Sequence, residues 1–443
     1  MILRVKYLLG MFGCRFDIRV SLTVLSVAVP VVGMTVLWCM LPAHSDDLWY
    51  DQGVRDFMAA GQSRLQALLS EMQVHAETDN LRFANVAYLL CSCVPRWVTA
   101  VLLGFCMAWG LWGLVKLSGG GIQTPLRASM LSAAYVYVLP WMAFPFSHDF
   151  ALNYVPSVAL CAWTAWLFCR PRTLTLRASI GAVALALLTA FWHEEAAVPL
   201  ILAFPMYMIV SADRARWRIL MWLALLPGLI YHVCMPGFWY RLSIMGTGEG
   251  GIHLKSAFLL TLLLGAVAVW VCRKSCRKGK CGYDEGVVCL CASAGIGSLG
   301  LALTVSGNER AMVCGMMLCI AGWLKVSGML LGRSLRSLMR TASVWLAAVL
   351  VCVLNWHFAV VVAESRAMLM KYDRALERYV ESGDLWIYCD LDYGEERPCL
   401  WRECRPGRQF LRPGYVQERL SLWWRGEDRF CIFYDDKEKE REE

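Results

Sequence analysis

Long apolar runs alternate with short polar segments along most of the chain. The first run, 21–40, is long enough to cross a bilayer, which takes a helix of about 20 residues. Further apolar runs lie at 86–115, 129–146, 154–169, 178–192, 196–210, 219–235, 256–272, 286–306, 311–331 and 341–363. The pattern predicts an all-α polytopic membrane protein with about eleven transmembrane helices.

Composition agrees with a membrane protein. Hydrophobic residues make up 58% of the 443 residues and charged residues only 18%, whereas soluble domains carry about 25% charged residues. The net charge of +8 comes from short basic clusters between the apolar runs. Because no basic stripe is interleaved with aromatic residues, we expect no nucleic-acid partner.

The basic clusters also predict an orientation. Arg4, Lys6, Arg15 and Arg19 precede the first run, and every second loop after it is rich in lysine and arginine. The positive-inside bias therefore places the N-terminus in the cytoplasm. The first run is longer than the core of a signal peptide, so we expect an uncleaved helix. An odd number of helices then puts the C-terminus outside the cytoplasm.

Three regions are predicted from these patterns. Residues 1–363 form the polytopic membrane domain, with an outer juxtamembrane segment at 44–85. Apolar residues at helical spacing between 57 and 74 predict one amphipathic helix, which either lies on the membrane or packs against the bundle. Residues 364–434 form a small extracytoplasmic α+β tail, with a helix followed by strands at 385–389 and 430–434. Residues 435–443 are charged and predicted to be disordered.

The predicted outer tail contains Cys389, Cys399, Cys404 and Cys431. An even number of cysteines in an oxidising compartment is compatible with two disulfides and three possible pairings. Four reduced thiols are the alternative.

Polar and ionisable residues gather in the loops that are predicted to lie on the outer face. Ionisable side chains are costly at membrane depth, so they usually face a cavity and serve a function. We expect them to converge on one outward-facing cleft, the alternative being simple exposure to water. The candidates are Asp46, Asp47, Asn80, Arg82, His148, Asp149, Asn153, His193, Glu194, Glu195, Asn308 and Arg310.

Five short motifs in this set carry a resemblance to a known class. They are Ser45-Asp46-Asp47-x-x-Tyr50, Asn80-x-Arg82, Asn153-Tyr154, His193-Glu194 and Gly307-Asn308-x-Arg310. An acidic pair just beyond the first membrane helix, followed by many helices and an outer soluble tail, resembles the GT-C class of integral-membrane glycosyltransferases. The five motifs, in their order and common side, are similar to uncharacterised bacterial polytopic membrane families related to that class. The resemblance covers about residues 20–325, and the chain departs from it at Glu195, where an amide residue is expected.

The resemblance implies transfer of a sugar from a polyprenyl-phosphate carrier to a glycan or lipid-linked acceptor, at the outer face of the bacterial inner membrane. Asp46 or Asp47 would act as the general base, with His193 and Glu194 in the same catalytic cluster. Arg82 and Arg310 offer guanidinium groups suited to the lipid phosphate. The remaining candidates would bind substrate: Asn80, His148, Asp149, Asn153, Glu195 and Asn308.

No cofactor is required by this chemistry. Asp46, Asp47 and Glu194, with Glu195, could still hold one magnesium or manganese ion, because carboxylate oxygens suit these cations. The expected partners are the donor lipid, the acceptor and the surrounding membrane lipid.

Two other functions remain open on the sequence. One is an O-antigen-type polymerase or ligase, which would use a diphosphate-linked donor on the same face. The other is a transporter or flippase for lipid-linked saccharides, which predicts charged residues at mid-helix. Most runs have uncharged centres, and this favours the transferase.

Overall fold

The computed structural model describes residues 17–40, 46–78, 81–137, 147–170, 174–244, 252–276, 282–303, 309–330, 333–382, 386–389, 419–421 and 430–435. The helices are α1 (Ile18–Met40), α2 (Asp46–Ala59), α3 (Arg64–Thr78), α4 (Phe83–Cys91), α5 (Arg96–Leu117), α6 (Pro125–Tyr137), α7 (His148–Phe168), α8 (Leu176–Trp192), α9 (Glu194–Ser211), α10 (Arg216–Leu223), α11 (Leu226–Cys234), α12 (Pro236–Ile244), α13 (Ile252–Cys276), α14 (Tyr283–Leu301), α15 (Val313–Leu330) and α16 (Arg333–Ser382). A 3-10 turn, Glu309–Met312, precedes α15.

Nine segments within the described ranges are long and apolar enough to cross a membrane. They are α1, α5, α7, α9, α10 with α11, α14, α15 and the apolar parts of α13 and α16. The prediction of a multi-pass, all-α membrane protein is therefore confirmed. The helix α8 is apolar but shorter, and α6 is described only to residue 137, so the total of eleven stays a prediction.

One predicted run, 86–115, is wrong as a single helix. The chain forms α4, leaves the helix at Ser92 and begins α5 at Arg96, with Pro95 as the N-cap. Proline has no N–H and disfavours helical backbone in the residue before it, so it belongs at the start of a helix. The break makes α4 a separate helix of nine residues that packs against α7.

The single amphipathic helix predicted between 57 and 74 is also wrong. The chain turns at Gly61, whose φ of 89° is typical of glycine, and this turn separates α2 from α3. Leu68 on α3 is buried, and the helix packs on α2 and α12. Leu65 and Leu69 on another face are 69% and 57% exposed. Contact with the membrane surface by this second face stays a prediction.

The helix ends fall into two groups. At one end, which we call the site end, Asp47 after α1 contacts the N-termini of α5 and α7, and α4 contacts the N-terminus of α9. At the other, which we call the opposite end, the C-termini of α5 and α7 contact α6 and α10. The bundle therefore has one group of polar contacts at the site end and another at the opposite end.

The helix α7 lies at the centre of the bundle, and most of its side chains are buried. Charged side chains hold both of its ends. At its C-terminus, the buried Arg218 donates from Nε to the carbonyl of Phe168 at 2.8 Å and from Nη2 to that of Arg170 at 2.6 Å. Asp47 is bound at its N-terminus. A cation at the C-terminus and an anion at the N-terminus both oppose the helix dipole and stabilise α7.

The helix α16 runs for 50 residues, about 75 Å, through the predicted boundary at 363/364 without a break. A three-stranded sheet follows, of β1 (Trp386–Cys389), β2 (Arg419–Ser421) and β3 (Phe430–Asp435), in the order β1-β3-β2. The strand β1 is parallel to β3, and β2 is antiparallel to it. Most of the tail lies outside the described residues, so the α+β tail stays a prediction. The segment 436–443, which is predicted to be disordered, also lies outside them.

The register of this sheet bears on the cysteine pairing. Cys389 lies opposite Asp435, four residues along β3 from Cys431. Four residues of a strand span about 13 Å, and disulfides need Cα atoms within about 7 Å. A direct bond between Cys389 and Cys431 is therefore incompatible with this register. Cys399 and Cys404 lie outside the described residues.

Candidate functional site

Two polar clusters lie at the site end, and α4 joins them. The first, which we call the aspartate cluster, contains Asp47, Asp51, Tyr88 and Arg96. The second, which we call the ion-pair cluster, contains Arg82, His193, Glu194 and His232. Arg82 directly precedes α4 and Tyr88 lies on it. One short helix therefore fixes both clusters in a single layer.

Asp47 is fully buried and completes the N-terminus of α7. Its Oδ1 accepts from the backbone N–H of Asp149 at 2.8 Å, and its Oδ2 from that of His148 at 3.1 Å. Arg96 donates to Oδ2 at 3.2 Å. Ser147 accepts from the next free N–H of the helix. Since both carboxylate oxygens are already engaged by donors, Asp47 holds α2, α5 and α7 together.

Asp51 lies one turn further along α2 and is 8% exposed. Burial, and next the charge of Asp47, raise the pKa of Asp51 to about 7, against the opposing effect of Arg96. The Tyr88 hydroxyl donates to the carbonyl of Asp47 at 3.0 Å and also lies beside the Asp51 carboxyl group. A carboxyl group with this pKa exchanges its proton near neutral pH, as a general base requires.

Aromatic and amide side chains surround the aspartate cluster. Burial, and then the charges of Asp47 and Asp51, hold the pKa of Tyr88 well above its usual value, so Tyr88 remains a hydrogen-bond donor. Asn85 on α4 donates to the Tyr50 hydroxyl. The Tyr50 ring lies 5.1 Å from that of Tyr88, centroid to centroid. These contacts tie α2 to α4.

A second buried carboxylate, Glu71 on α3, is 3% exposed. Burial, and next the charge of Asp56, raise the pKa of Glu71 to about 7 from 4.5. Its proton is therefore bound more tightly in the folded protein than in the unfolded chain. This contribution to stability is complete below pH 4.5 and is lost as the pH rises to about 7.

We expect Glu71→Gln to reduce the pH dependence of stability, because glutamine stays neutral at every pH. The midpoint of thermal denaturation in detergent should rise by roughly 2 °C at pH 8 and change little at pH 5. Glu77→Gln, at an exposed position of the same helix, is the control and should leave both values unchanged. A lower midpoint at pH 8 for Glu71→Gln would contradict the expected sign.

The ion-pair cluster is built on a bidentate contact. Arg82 donates from Nε to Glu194 Oε2 at 2.8 Å and from Nη2 to Oε1 at 2.5 Å. Both side chains are 14% exposed. The Nδ1 atoms of His193 and His232 lie 3.6 Å and 3.9 Å from Glu194 Oε2. A guanidinium fork that binds a carboxylate in this way has a fixed orientation and equally suits a phosphate.

The sequence His193-Glu194-Glu195 forms the junction between α8 and α9. His193 has extended backbone, ends α8 and caps α9, since its Nδ1 accepts from the N–H of Glu195 at 3.1 Å. Both glutamates therefore lie in the first turn of α9, where the helix dipole favours negative charge. His232 on α11 donates from Nε2 to the carbonyl of Ala190 at 3.0 Å, which sets the position of its ring.

The position of His232 depends on close packing between α8 and α11. A β-carbon on Gly228 would lie 2.4 Å from the backbone carbon of Ala190. We therefore expect Gly228→Ala to force the helices apart and to destabilise the protein by about 1–3 kcal/mol, measured by thermal denaturation in detergent. It should also weaken the contact between His232 and Glu194.

Gly181→Ala is the matched control, since no atom lies within 4 Å of the position of its β-carbon. Alanine in an open helix position should be neutral or stabilising by up to about 1 kcal/mol. Equal effects of Gly181→Ala and Gly228→Ala would contradict the packing argument.

Three other candidates, His148, Asp149 and Asn153, lie in the first two turns of α7, whose N-terminus binds Asp47. Asn153 donates from Nδ2 to the carbonyl of Asp149 at 3.0 Å, one turn along α7, and both are buried. His148 Nε2 lies 3.0 Å from the carbonyl of Trp38. The ring of Tyr154 lies 5.3 Å from that of His193 and links α7 to the ion-pair cluster.

Four candidates are described incompletely or not at all. Asn80 and Asn308 lie outside the described residues. For Asp46 and Arg310 only the backbone is described, in α2 and in the 3-10 turn before α15. Arg310 is therefore at the site end, while its side-chain contacts stay a prediction.

Sequence reasoning missed Arg96 and His232, and for Asp51, in the same outer segment as Asp47, it favoured simple exposure to water. Asp51 is four residues after Asp47, so the helical period alone places both on one face of α2. His232 falls inside an apolar run, where an ionisable residue indicates function. Arg96 was counted with the run 86–115, and only the break at Pro95 exposes its role.

Within the described part of the chain, no group of three or more His, Cys, Asp and Glu residues is arranged to hold a metal ion. Asp47 accepts from backbone N–H groups and Arg96, and Glu194 accepts from Arg82. These two carboxylates are thus committed to donors and do not fit the predicted metal site. The side chain of Asp46 lies outside the described part.

The chain was compared with protein-family models, curated proteins and solved structures, and none of them matches it. Its function is therefore inferred from the geometry of the site.

Proposed function

We propose that this protein is a membrane glycosyltransferase of the GT-C type. It transfers a sugar from a polyprenyl-phosphate carrier to an acceptor hydroxyl on the outer face of the bacterial inner membrane. One observation carries the proposal: residues far apart in sequence meet in one layer at one end of the bundle. Asp47 contacts His148, 101 positions away, and Arg82 contacts Glu194, 112 positions away.

In this proposal Asp51 is the general base. It takes the proton of the acceptor hydroxyl while the oxygen attacks the anomeric carbon of the sugar. The bond between that carbon and the phosphate oxygen breaks, and the polyprenyl phosphate leaves with its electron pair. A pKa of about 7 suits this step. Asp47 is a positioning residue, because its own oxygens are engaged by α7 and Arg96.

Arg82 binds the phosphate of the donor in this proposal. Its guanidinium is oriented by Glu194, and a phosphate bound at the edge of the guanidinium that Glu194 does not occupy offsets the charge that develops on the leaving group. Glu194 keeps the guanidinium of Arg82 in place. Asn80, Asn308 and Arg310 keep their expected roles in binding substrate.

The orientation belongs to the proposal as well. The site end faces outward, with the N-terminus in the cytoplasm and the C-terminus outside. The donor lipid reaches the site from the outer leaflet, and the opposite end of the bundle faces the cytoplasm.

A transfer assay with the purified full-length protein in liposomes tests the proposal. Synthetic polyprenyl-phosphate hexoses are the donors, and a bacterial glycan and lipid extract supplies the acceptor. Mass spectrometry should detect free polyprenyl phosphate and a hexose added to an acceptor. Arg82→Met should lower the rate about 100-fold or more. The matched control is Arg64→Met, at an exposed arginine on α3, which should retain full activity.

Two results would overturn the proposal. Consumption of a diphosphate-linked saccharide alone would indicate the polymerase or ligase. Passage of an intact lipid-linked sugar across the bilayer, with no bond broken, would indicate a transporter.

A further inference from the structure

A cavity of about 440 Å³ lies at the opposite end of the bundle, away from both clusters. Helices α6, α14 and α15 and the turn after α5 surround it. The residues that line it are Gly119, Arg127, Asp284, Lys325, Gly328 and Met329. The cavity therefore holds two cations and one carboxylate at a common helix end.

Both cations lie close to Gly119 at the wall of this cavity. A β-carbon on Gly119 would lie 3.1 Å from Lys325 Nζ and 3.2 Å from Arg127 Nη1. Glycine occupies this position with a φ of 77°, in the left-handed region that other residues rarely adopt. A side chain at Gly119 would meet both cations, so glycine lets the ammonium and the guanidinium lie side by side.

Only one of the two positive charges is offset. Lys325 Nζ lies 2.5 Å from Asp284 Oδ1. Arg127 donates from Nη1 to the carbonyl of Ser118 at 2.6 Å and, among the residues that the structure describes, makes no ion pair. Its Nη2 packs close to Gly328, where a β-carbon would lie 2.4 Å away. The guanidinium is thus held against the cavity with its charge uncompensated.

We propose that this cavity binds a phosphate anion, supplied by the headgroup of an anionic phospholipid. A guanidinium and an ammonium that line the same cavity suit a phosphate. Basic pockets between membrane helices commonly bind such headgroups. Met130, one turn along α6, and Leu330, at the end of α15, are 41% and 54% exposed and offer apolar surface to acyl chains. The site is independent of the proposed glycosyl transfer.

Native mass spectrometry of the full-length protein in detergent tests the site with dioleoyl phosphatidylglycerol as the probe. The double variant Arg127→Gln/Lys325→Gln should bind it about tenfold more weakly than the unmodified protein, a loss of about 1.4 kcal/mol. Dioleoyl phosphatidylcholine, whose headgroup has no net charge, should bind both proteins equally. The variant Arg127→Lys/Lys325→Arg keeps both charges and should keep most of the affinity.

Arg177→Gln is the matched control, since Arg177 is an exposed arginine at the same end of the bundle. It should bind phosphatidylglycerol as the unmodified protein does. Millimolar inorganic phosphate should compete with the lipid in part. If phosphate raised the midpoint of thermal denaturation as much as the lipid does, the site would be assigned to free phosphate instead. Equal lipid binding by the double variant and the unmodified protein would overturn the proposal, as would an equal loss in Arg177→Gln.

Discussion

Asp51→Asn is expected to lower the rate of sugar transfer by about 100- to 10,000-fold, the usual effect of losing a general base. Asparagine matches aspartate in shape and cannot take the proton of the acceptor hydroxyl. The loss should appear in kcat, measured as release of polyprenyl phosphate. The matched control is Asp56→Asn, at an exposed aspartate of the same helix, which should retain activity within about twofold.

The pH profile gives an independent test of the same role. Because the base must be deprotonated and the pKa of Asp51 is raised to about 7, the rate should rise with pH up to about 7 and then level. This rise should be absent from the residual activity of Asp51→Asn. Full turnover by the variant, or a flat profile in the unmodified protein, would remove Asp51 from the chemistry.

Stability separates a catalytic loss from a folding defect. Burial and Asp47 favour the neutral form of Asp51, so its charge destabilises the folded protein above pH 7. Asparagine removes that charge. The midpoint of thermal denaturation of Asp51→Asn at pH 8 should therefore equal or exceed that of the unmodified protein.

Asp47→Asn is expected to destabilise the protein by about 3 kcal/mol, the size of effect that follows when one partner of a buried ionic network is removed. The amide oxygen of asparagine can accept from one N–H of α7. Its NH₂ group would then face another N–H donor, which in the unmodified protein is bound by the second carboxylate oxygen. Thermal denaturation in detergent measures the loss.

The comparison with neighbouring variants makes this prediction specific. Arg96→Gln should cost less, because Arg96 is 28% exposed and can be replaced by water, whereas Asp47 is fully buried. Normal stability together with abolished transfer in Asp47→Asn would reverse the roles of the two aspartates and identify Asp47 as the base.

The membrane architecture could be predicted from the sequence. The apolar runs are long and the charges fall between them, and a chain in lipid has to satisfy its backbone hydrogen bonds within each helix. At two positions a single residue controls the backbone and ends a helix. Pro95 and Gly61 each divide a predicted helix in two, for reasons that lie in those residues alone.

The candidate site could be predicted only in part. The sequence indicated that Asp47, Arg82 and Glu194 lie at one end of the bundle, and the structure brings each into contact with a distant partner. The sequence did not indicate that Asp47 binds the N-terminus of α7, or that His232 on another helix lies close to Glu194. Those contacts depend on which helices are neighbours.

The sequence by itself determined that this protein is a multi-pass helical membrane protein and where its ionisable residues concentrate, because length, apolarity and charge are properties of each segment alone. The tertiary structure decided which of the two aspartates, Asp47 or Asp51, is engaged by donors at both oxygens. Asp47 and Asp51 are the same residue type and lie one helical turn apart. The N-terminus of α7 and Arg96 bind the carboxylate oxygens of Asp47, whereas burial raises the pKa of Asp51. Burial and charge at a side chain are set by neighbours that only folding brings together.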